Sequence, residues 1–261
     1  MYYIEISATT CTCTILCNGL YIEKLDAQKN GCLQYPCNTE LIGTANRVEV
    51  QVTPASLDPS TFEKIDVQGM VKRYPDDGFI GPELGEVLAS FSLYETVEMI
   101  KANPLANVAD MIPFSLSAMF DSEDIPSMAH RLVEAEPLTD PDALRDWAMQ
   151  FRLLLERGDI DGLYELYEPK LLDYDIAYPM QREPDNRVWF TNWMNEKIYP
   201  QRPFTGFGRG DVETVKWCDG RIWELRLKDG RPLWSTEGFE GKRTGIQVYV
   251  GMVDDKIRIV R

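Results

Sequence analysis

The sequence has few of the groups that catalytic and nucleic-acid-binding proteins use most. Its 261 residues include one histidine, and 27 basic residues stand against 42 acidic ones, giving a net charge of −15. Such a charge repels nucleic-acid phosphates and anionic lipids, so we expect neither nucleic acid nor a membrane surface as a partner. No apolar run approaches the roughly 18 residues of a membrane-spanning helix. The first residues, Met1–Glu5, lack the regions of a secretory signal, and we predict a cytoplasmic protein.

The scarcity of histidine limits the catalytic mechanisms open to the chain. His130 would have to serve any Ser/His/Asp or Cys/His site, yet no Gly-x-Ser-x-Gly motif accompanies it. We therefore interpret His130 as a surface or loop residue. Asp175 with Tyr174 and Tyr178 is a second possible acid–base set, but we interpret it as a solvated helix end, because a tuned pKa requires burial. We predict no catalytic residues.

Motifs for metals and phosphates are incomplete as well. Asp121–Asp124 lacks the glycine of a calcium-binding loop. Gly206–Gly210 is rich in glycine but lacks a following Lys-Ser/Thr pair and precedes a predicted strand instead of a helix. We interpret it as a flexible connection; the alternative is a basic and aromatic contact loop that includes Arg202 and Phe204. We expect no cofactor and no metal ion.

Cysteines are concentrated at the start of the chain, where five of the six occur: Cys11, Cys13, Cys17, Cys32 and Cys37. The first three share strand parity, so they face one side of an extended strand. Their spacing matches zinc-binding knuckles poorly, and a reducing compartment disfavours disulfides. We predict small buried apolar side chains, with a disulfide or a metal or redox site as the alternatives.

Composition changes along the chain predict two domains, 1–138 and 139–261. The first contains 8 basic and 20 acidic residues, for a net charge of −12, and the second contains 19 and 22, for −3. All six tryptophans lie in the second part. Hydrophobic content of 44% and aromatic content of 11% are typical of packed globular proteins.

Alternating segments predict an antiparallel β-sandwich for the first domain. The predicted strands are Tyr2–Ala8, Thr10–Cys17, Leu20–Leu25 after an Asn-Gly turn, Val48–Val52, Ile65–Met70, Ala89–Ile100 and Ile112–Phe120. In Asn38–Val50, a polar turn, a leucine, a glycine-containing loop and an asparagine precede a Val-x-Val strand. That pattern resembles jelly-roll and immunoglobulin-like sandwiches and implies that fold alone.

The second domain begins with predicted helices and continues with predicted strands, so the whole chain is expected to be α+β. Asp140 and Pro141 begin one helix and Gly158 ends it. Asp159 begins a second helix, interrupted at Pro169. A third is predicted over Asn186–Ile198. The strands follow: Val212–Trp217, Arg221–Lys228, Pro232–Thr236, Gly245–Val253 and Lys256–Val260, with Asp-Gly turns after the first two. We expect Trp217 and Trp223 to lie opposite each other across the first turn.

Two stretches carry a resemblance to a known superfamily. In Phe151–Asp159 a helix ends in Gly-Asp before a second helix, and Trp217–Leu233 is a hairpin with the pattern Glu-Leu-x-Leu and Asp-Gly-x-Pro-Leu. Together they resemble the cone-shaped α+β fold of the nuclear transport factor 2-like (NTF2-like, SnoaL-like) superfamily. Its members include isomerases, cyclases, dehydratases and proteins without activity. The resemblance implies a cone whose tryptophans form a core or line a ligand pocket.

The acidic stretch 76–136, with 12 acidic and 2 basic residues, is the candidate for binding a partner through charge; the alternative is that it is solvated loop and strand surface. An acidic, single-histidine chain of this size resembles immunity proteins of interbacterial toxins, such as those paired with type VI secretion effectors. This implies a non-catalytic protein that binds a basic toxin, for example a nuclease. The candidate partner-binding residues are Asp76, Asp77, Asp121, Glu123 and Asp124. The alternative is a SnoaL-like isomerase, cyclase or ligand-binding protein that uses the cone cavity.

Overall fold

A computed structural model describes residues 1–56, 64–75, 80, 81, 83–94, 112–125, 127–178, 185–201, 203–236 and 245–261. The described chain forms two compact units: unit 1, Met1–Ala129, and unit 2, His130–Arg261. The fold is mixed α+β, as predicted, with a nearly closed antiparallel sheet in unit 1 and helices followed by further sheets in unit 2. The jelly-roll, immunoglobulin-like and NTF2-like folds stay predictions, as do the domain limits 1–138 and 139–261.

Unit 1 contains a six-stranded antiparallel sheet. Its strands are β1 (Tyr2–Cys17), β2 (Leu20–Pro36), β3 (Asn46–Pro54), β4 (Asp66–Arg73), β5 (Glu86–Ser92) and β6 (Phe114–Phe120). The order is β5-β4-β1-β3-β6, and β2 pairs with β1 as well.

The long strand β1 belongs to both halves of this sheet, one formed with β4 and β5 and the other with β3 and β6. On one edge it pairs with β2 over almost its whole length. On the other edge, Tyr2–Thr9 pairs with β4 and Cys11–Cys17 pairs with β3. Thr10, between the two halves, has a φ of 58°, and the register with β2 shifts there. The sheet thus curls around one apolar core, and its end strands, β5 and β6, come into contact.

Most predicted strands of unit 1 are confirmed, but the one predicted over Leu20–Leu25 continues to Pro36, and two others differ. Tyr2–Ala8 and Thr10–Cys17 are one strand, because Thr10 bends the chain without ending its pairing. The predicted strand Ala89–Ile100 is wrong beyond Ser92, since residues 93 and 94 are helical; residues 95–100 lie outside the described part. The predicted turn at 18–19 is confirmed, with positive φ at both positions, as a two-residue hairpin with right-handed strand twist requires.

Unit 2 is built from helices followed by strands. Its helices are α1 (Met128–Glu134, which begins at the end of unit 1), α2 (Pro141–Arg157), α3 (Ile160–Ala177) and α4 (Asn186–Trp193), the last continued by a π-helical turn, Met194–Ile198. Its strands are β7 (Val212–Trp217), β8 (Ile222–Leu227), β9 (Trp234–Ser235), β10 (Gly245–Ile246), β11 (Val248–Val253) and β12 (Lys256–Ile259). One sheet has the order β12-β11-β8-β7, and β9 pairs with β10 separately.

Local signals place the ends of the helices as predicted. The Asp140 carboxylate accepts a hydrogen bond from the amide of Asp142 at 2.9 Å, which satisfies one of the first N–H groups of α2. Gly158 ends α2 with a φ of 72°, a conformation that glycine adopts without steric cost. The predicted interruption at Pro169 is wrong, because α3 continues through it.

The predicted pairing of the two tryptophans flanking the first Asp-Gly turn is also wrong. Trp217 lies opposite Ile222, and Trp223 lies opposite Lys216. The connection Cys218–Gly220 forms a 3-10 turn, and β8 begins only at Ile222. A shift of one residue reverses the face of every side chain, so the two indoles point to opposite sides of the sheet.

Candidate functional site

Three of the five predicted partner-binding residues lie in the segment that follows β6. Asp121, Glu123 and Asp124 are all exposed. Asp76 and Asp77 lie outside the described residues. Asp121 Oδ1 accepts a hydrogen bond from the amide of Ala45 at 2.8 Å, and the amide of Glu123 donates to the hydroxyl of Tyr2 at 2.9 Å. These bonds fix the backbone of the segment, so the side chains of Asp121, Glu123 and Asp124 extend from defined positions.

Glu123 lines an open depression of about 480 Å³ in unit 1. The other lining residues are Met1, Tyr2, Arg73, Tyr74, Pro75, Gly85 and Glu86. They come from the start of β1, the end of β4 and the start of β5. Sequence reasoning missed Glu86 and Arg73 as members of this site, although Glu86 belongs to the acidic stretch that it singled out.

One cation of this depression, Arg73, forms an ion pair with Glu123, and a second, the terminal amine of Met1, donates a hydrogen bond to the Tyr74 carbonyl at 2.8 Å. The side chains of Arg73 and Glu123 are 48% and 68% exposed. Exposed ion pairs of this kind contribute at most about 1 kcal/mol, because water and salt screen them. A cation on a partner protein can therefore compete with Arg73 for the Glu123 carboxylate at low cost.

A partly buried polar network lies beside the depression. Lys72 Nζ is 3.0 Å from Glu5 Oε2, and the lysine side chain is only 4% exposed. The Tyr74 hydroxyl donates to Glu5 Oε1 at 2.5 Å, and the Gln34 amide donates to the same oxygen at 2.8 Å. The network ties the end of β4 to β1 and so holds Arg73 in place. Sequence reasoning missed it, because a lysine among alternating residues is expected to face water.

Two pKa values are perturbed in this network. Burial opposes the charge of Glu5, but hydrogen bonds from Tyr74, Lys72 and Gln34 hold its pKa below the ordinary value. Burial, followed by the hydrogen bond to Glu5, raises the pKa of Tyr74 to about 12. At neutral pH the carboxylate is therefore charged and the phenol is neutral, as the donor–acceptor geometry requires.

The cysteines lie mainly in the core of unit 1. Cys11, Cys13, Cys17 and Cys37 are buried, whereas Cys32 is exposed. The prediction that the first three share one face is confirmed by their burial on β1, where the sulfurs of Cys11 and Cys13 are 3.8 Å apart. Burial raises the pKa of Cys17 and Cys37 well above that of an ordinary thiol, which keeps both protonated. Among the described residues, no three His, Cys, Asp or Glu side chains are grouped as a metal site would require.

The possible acid–base set of unit 2 joins two helices. Asp175 Oδ2 accepts a hydrogen bond from the Asn186 amide at 2.6 Å and so links the end of α3 to the start of α4. Tyr174 is 44% exposed, and its ring lies 5.6 Å from that of Tyr178. His130, predicted to be a surface or loop residue, instead lies on α1 and is partly buried.

The glycine-rich segment before β7 is anchored, which corrects the prediction of a flexible connection. Phe207 is buried, and its carbonyl accepts a hydrogen bond from Arg152 of α2. Arg209 Nε lies 2.5 Å from Asp146 Oδ1, also on α2. Arg202 lies outside the described residues, and Phe204 forms a β-bridge with Thr236. The basic side chain of Gly206–Gly210, Arg209, is thus directed to α2.

A second depression, of about 420 Å³, lies on α4 and the turn that continues it. We call it the α4 groove and define it by its lining residues: Asp185, Val188, Trp189, Asn192, Trp193, Glu196 and Lys197. Trp189 and Trp193 are stacked, with ring centroids 5.8 Å apart and an interplanar angle of 7°. Their spacing of four residues is the sequence signal that places both on one helical face.

The remaining aromatic residues of unit 2 fill its interior. Phe190, Trp223 and Trp234 are buried in the core between the helices and strands. Phe151 stacks on Trp147 of the same helix at 5.5 Å and meets Trp234 edge-on at 6.0 Å. Within the described residues, aromatic side chains thus occupy the interior in which the sequence analysis allowed for a ligand pocket.

No protein-family model matches this chain, and no curated protein and no solved structure shows a significant match to it. Of the helices that the structure describes, none has the length and apolar character needed to cross a membrane. The functional argument therefore rests on the geometry and charge of the two depressions.

Proposed function

We propose that the chain is a non-catalytic binding protein of the immunity type, which neutralises a basic toxin, such as a nuclease, by direct contact in the cytoplasm. The observation that carries the proposal is the exposed acidic surface of unit 1, where Glu86 and Glu123 line the open depression and Asp124 follows directly. We call Glu86, Glu123 and Asp124 the acidic surface. It lies in the stretch that holds most of the negative charge of the chain.

Electrostatics supports this function over a catalytic one. Carboxylates on a protein surface attract cationic partners over a distance of about one Debye length and raise the rate of association. A nuclease has a basic channel for phosphates, which an acidic protein can occupy in place of the substrate. The partner's arginine or lysine would displace Arg73 from Glu123, an exchange of one exposed ion pair for one that binding shields from water.

The test is co-purification followed by kinetics. We expect a stable 1:1 complex with the product of the adjacent gene, whose association rate falls steeply as salt is added. Glu123→Gln with Asp124→Asn should lower that rate about tenfold at low salt, whereas the matched change Glu23→Gln with Asp26→Asn, on β2, should leave it nearly unchanged.

The possible outcomes separate the parts of the proposal. Equal rates for the two double variants would remove the acidic surface from the mechanism. Absence of a protein complex, together with tight binding of a metabolite, would refute the immunity function itself. The SnoaL-like alternative requires an open cavity in the cone, whereas the described interior of unit 2 is filled by aromatic side chains such as Phe151 and Trp234.

A further inference from the structure

We propose that the α4 groove binds an arginine-bearing, extended segment of a protein partner. The groove belongs to unit 2 and is separate from the acidic surface, so this inference does not depend on the function proposed for unit 1. Its lining residues recur at intervals of three and four from Asp185 to Glu196, which places them along one face of the helix.

The indole pair is rigid and accessible at the same time. Trp193 is half-buried and meets Trp234 of the core edge-on at 5.8 Å, which fixes its ring. Trp189 stacks on Trp193 and is 38% exposed, and Val188 beside it is 57% exposed. A ligand that stacks here orders no mobile aromatic side chain, so little conformational entropy is lost on binding.

Carboxylates lie at both ends of the groove. Asp185 caps α4, and its Oδ1 accepts hydrogen bonds from the amides of Arg187 and Val188 at 2.8 and 3.1 Å. Glu196 is exposed on the turn that follows α4. The two are eleven positions apart, which at about 1.5 Å per helical residue corresponds to about 16 Å along the axis.

The arginine of α4 is paired with groups that do not line the groove. Arg187 forms an ion pair with Asp161 at 2.6 Å, and its guanidinium lies over the ring of Tyr164, 5.3 Å from the centroid. Among the lining residues, Lys197 is then the cation that remains against two carboxylates. The groove therefore presents aromatic faces between negative ends.

A guanidinium matches this chemistry better than an apolar side chain does. It is planar, stacks on indole faces and forms paired hydrogen bonds with a carboxylate. An apolar segment would cover the charges of Asp185 and Glu196 without supplying a cation for either, which is unfavourable. A length of about 16 Å accommodates roughly five residues of extended peptide, so an arginine over the indole pair has a carboxylate on either side.

The test uses the full chain labelled with nitrogen-15, in which each tryptophan gives one indole N–H signal. Trp189→Phe and Trp193→Phe assign two of the six signals. The probe is a blocked Gly-Arg-Gly-Arg-Gly peptide, compared with versions that carry citrulline or leucine in place of arginine. We expect saturable shifts of the Trp189 and Trp193 signals with the arginine peptide, and binding of the neutral peptides that is weaker by up to about fivefold, because a cation–π contact at an exposed site is worth up to about 1 kcal/mol.

Matched variants locate the interaction. Glu196→Gln should weaken binding of the arginine peptide about threefold, whereas Glu165→Gln, an equivalent loss of exposed charge on α3, should not. Glu123→Gln should likewise have no effect, because Glu123 does not line the α4 groove. Equal binding of the arginine and leucine peptides would overturn the proposal. So would unshifted Trp189 and Trp193 signals at about 10 mM peptide, since affinity would then be weaker than millimolar.

Discussion

Replacing Gly69 with alanine tests how closely β4 and β5, two neighbouring strands of the unit 1 sheet, are packed. Gly69 on β4 lies directly opposite Phe91 on β5. The phenyl ring covers the glycine, so a Cβ added at Gly69 would lie 2.1 Å from Cζ and 2.2 Å from Cε2 of Phe91. Real Cβ atoms do not approach ring carbons so closely. The ring must therefore leave its position, or β4 and β5 must separate.

The magnitude follows from what the displacement would expose. Phe91 is 8% exposed and belongs to the core of unit 1. Releasing a buried phenylalanine to water costs about 1.5–3 kcal/mol. Alanine offsets about 0.5–1 kcal/mol of this, because glycine loses more backbone entropy on folding. We therefore expect Gly69→Ala to lower the free energy of unfolding by about 1–2 kcal/mol.

A double-mutant cycle followed by urea unfolding distinguishes this cause from others. In a Phe91→Ala background the ring is gone, so Gly69→Ala should become neutral or slightly stabilising, and the coupling between the two sites should be about 1–2 kcal/mol. Amide exchange measured by mass spectrometry should show the loss of protection in β4 and β5. If Gly69→Ala costs as much without the ring as with it, the proposed clash is not the reason for the destabilisation.

Two further predictions concern single polar groups. Asp140→Ala should lower the free energy of unfolding by about 1 kcal/mol, because α2 loses the carboxylate that accepts a hydrogen bond from the amide of Asp142. Asp140→Ser should restore most of the lost stability in the same urea assay. Tyr74 has a folded-state pKa of about 12, above its unfolded value near 10, so its contribution is complete below pH 10 and is lost as the pH rises toward 12. Tyr74→Phe should therefore flatten the decline in stability measured between pH 9 and about 11.5, and an unchanged decline would exclude Tyr74 as its source.

Local turn and cap signals were sufficient to predict most elements of this fold, whereas tertiary pairing was not. The turn at Asn18-Gly19 and the cap at Asp140 each depend on residues adjacent in sequence, and both are confirmed. The continuous, bent β1 was missed, because the positive φ of Thr10 is imposed by two partners distant in sequence, β3 and β4. The error in the predicted pairing of Trp217 has a similar origin. The length of the turn sets the register of the two strands, and the composition of the turn does not reveal its length.

In the candidate sites, too, local properties could be predicted from the sequence, whereas tertiary neighbours could not. Exposure of Asp121, Glu123 and Asp124 follows from their charge and was predicted, but which residues lie beside them depends on the fold. The helical spacing of apolar residues did not distinguish the residues of the α4 groove from those of the core, because α4 and its continuation are apolar on two faces. One face buries Phe190, and the other exposes Trp189.

The shared edge of β1 also has a consequence for the order in which the protein folds. β1 and β2 meet through a two-residue turn, whereas the pairing of Tyr2 with Arg73 must close a far longer loop. Because loop closure costs entropy, the hairpin should form first and present a 16-residue edge. β3 and β4 can then add to that template in either order. A weakened hairpin turn should accordingly slow assembly of both halves, while a defect in β5 or β6 should slow only the half to which that strand belongs.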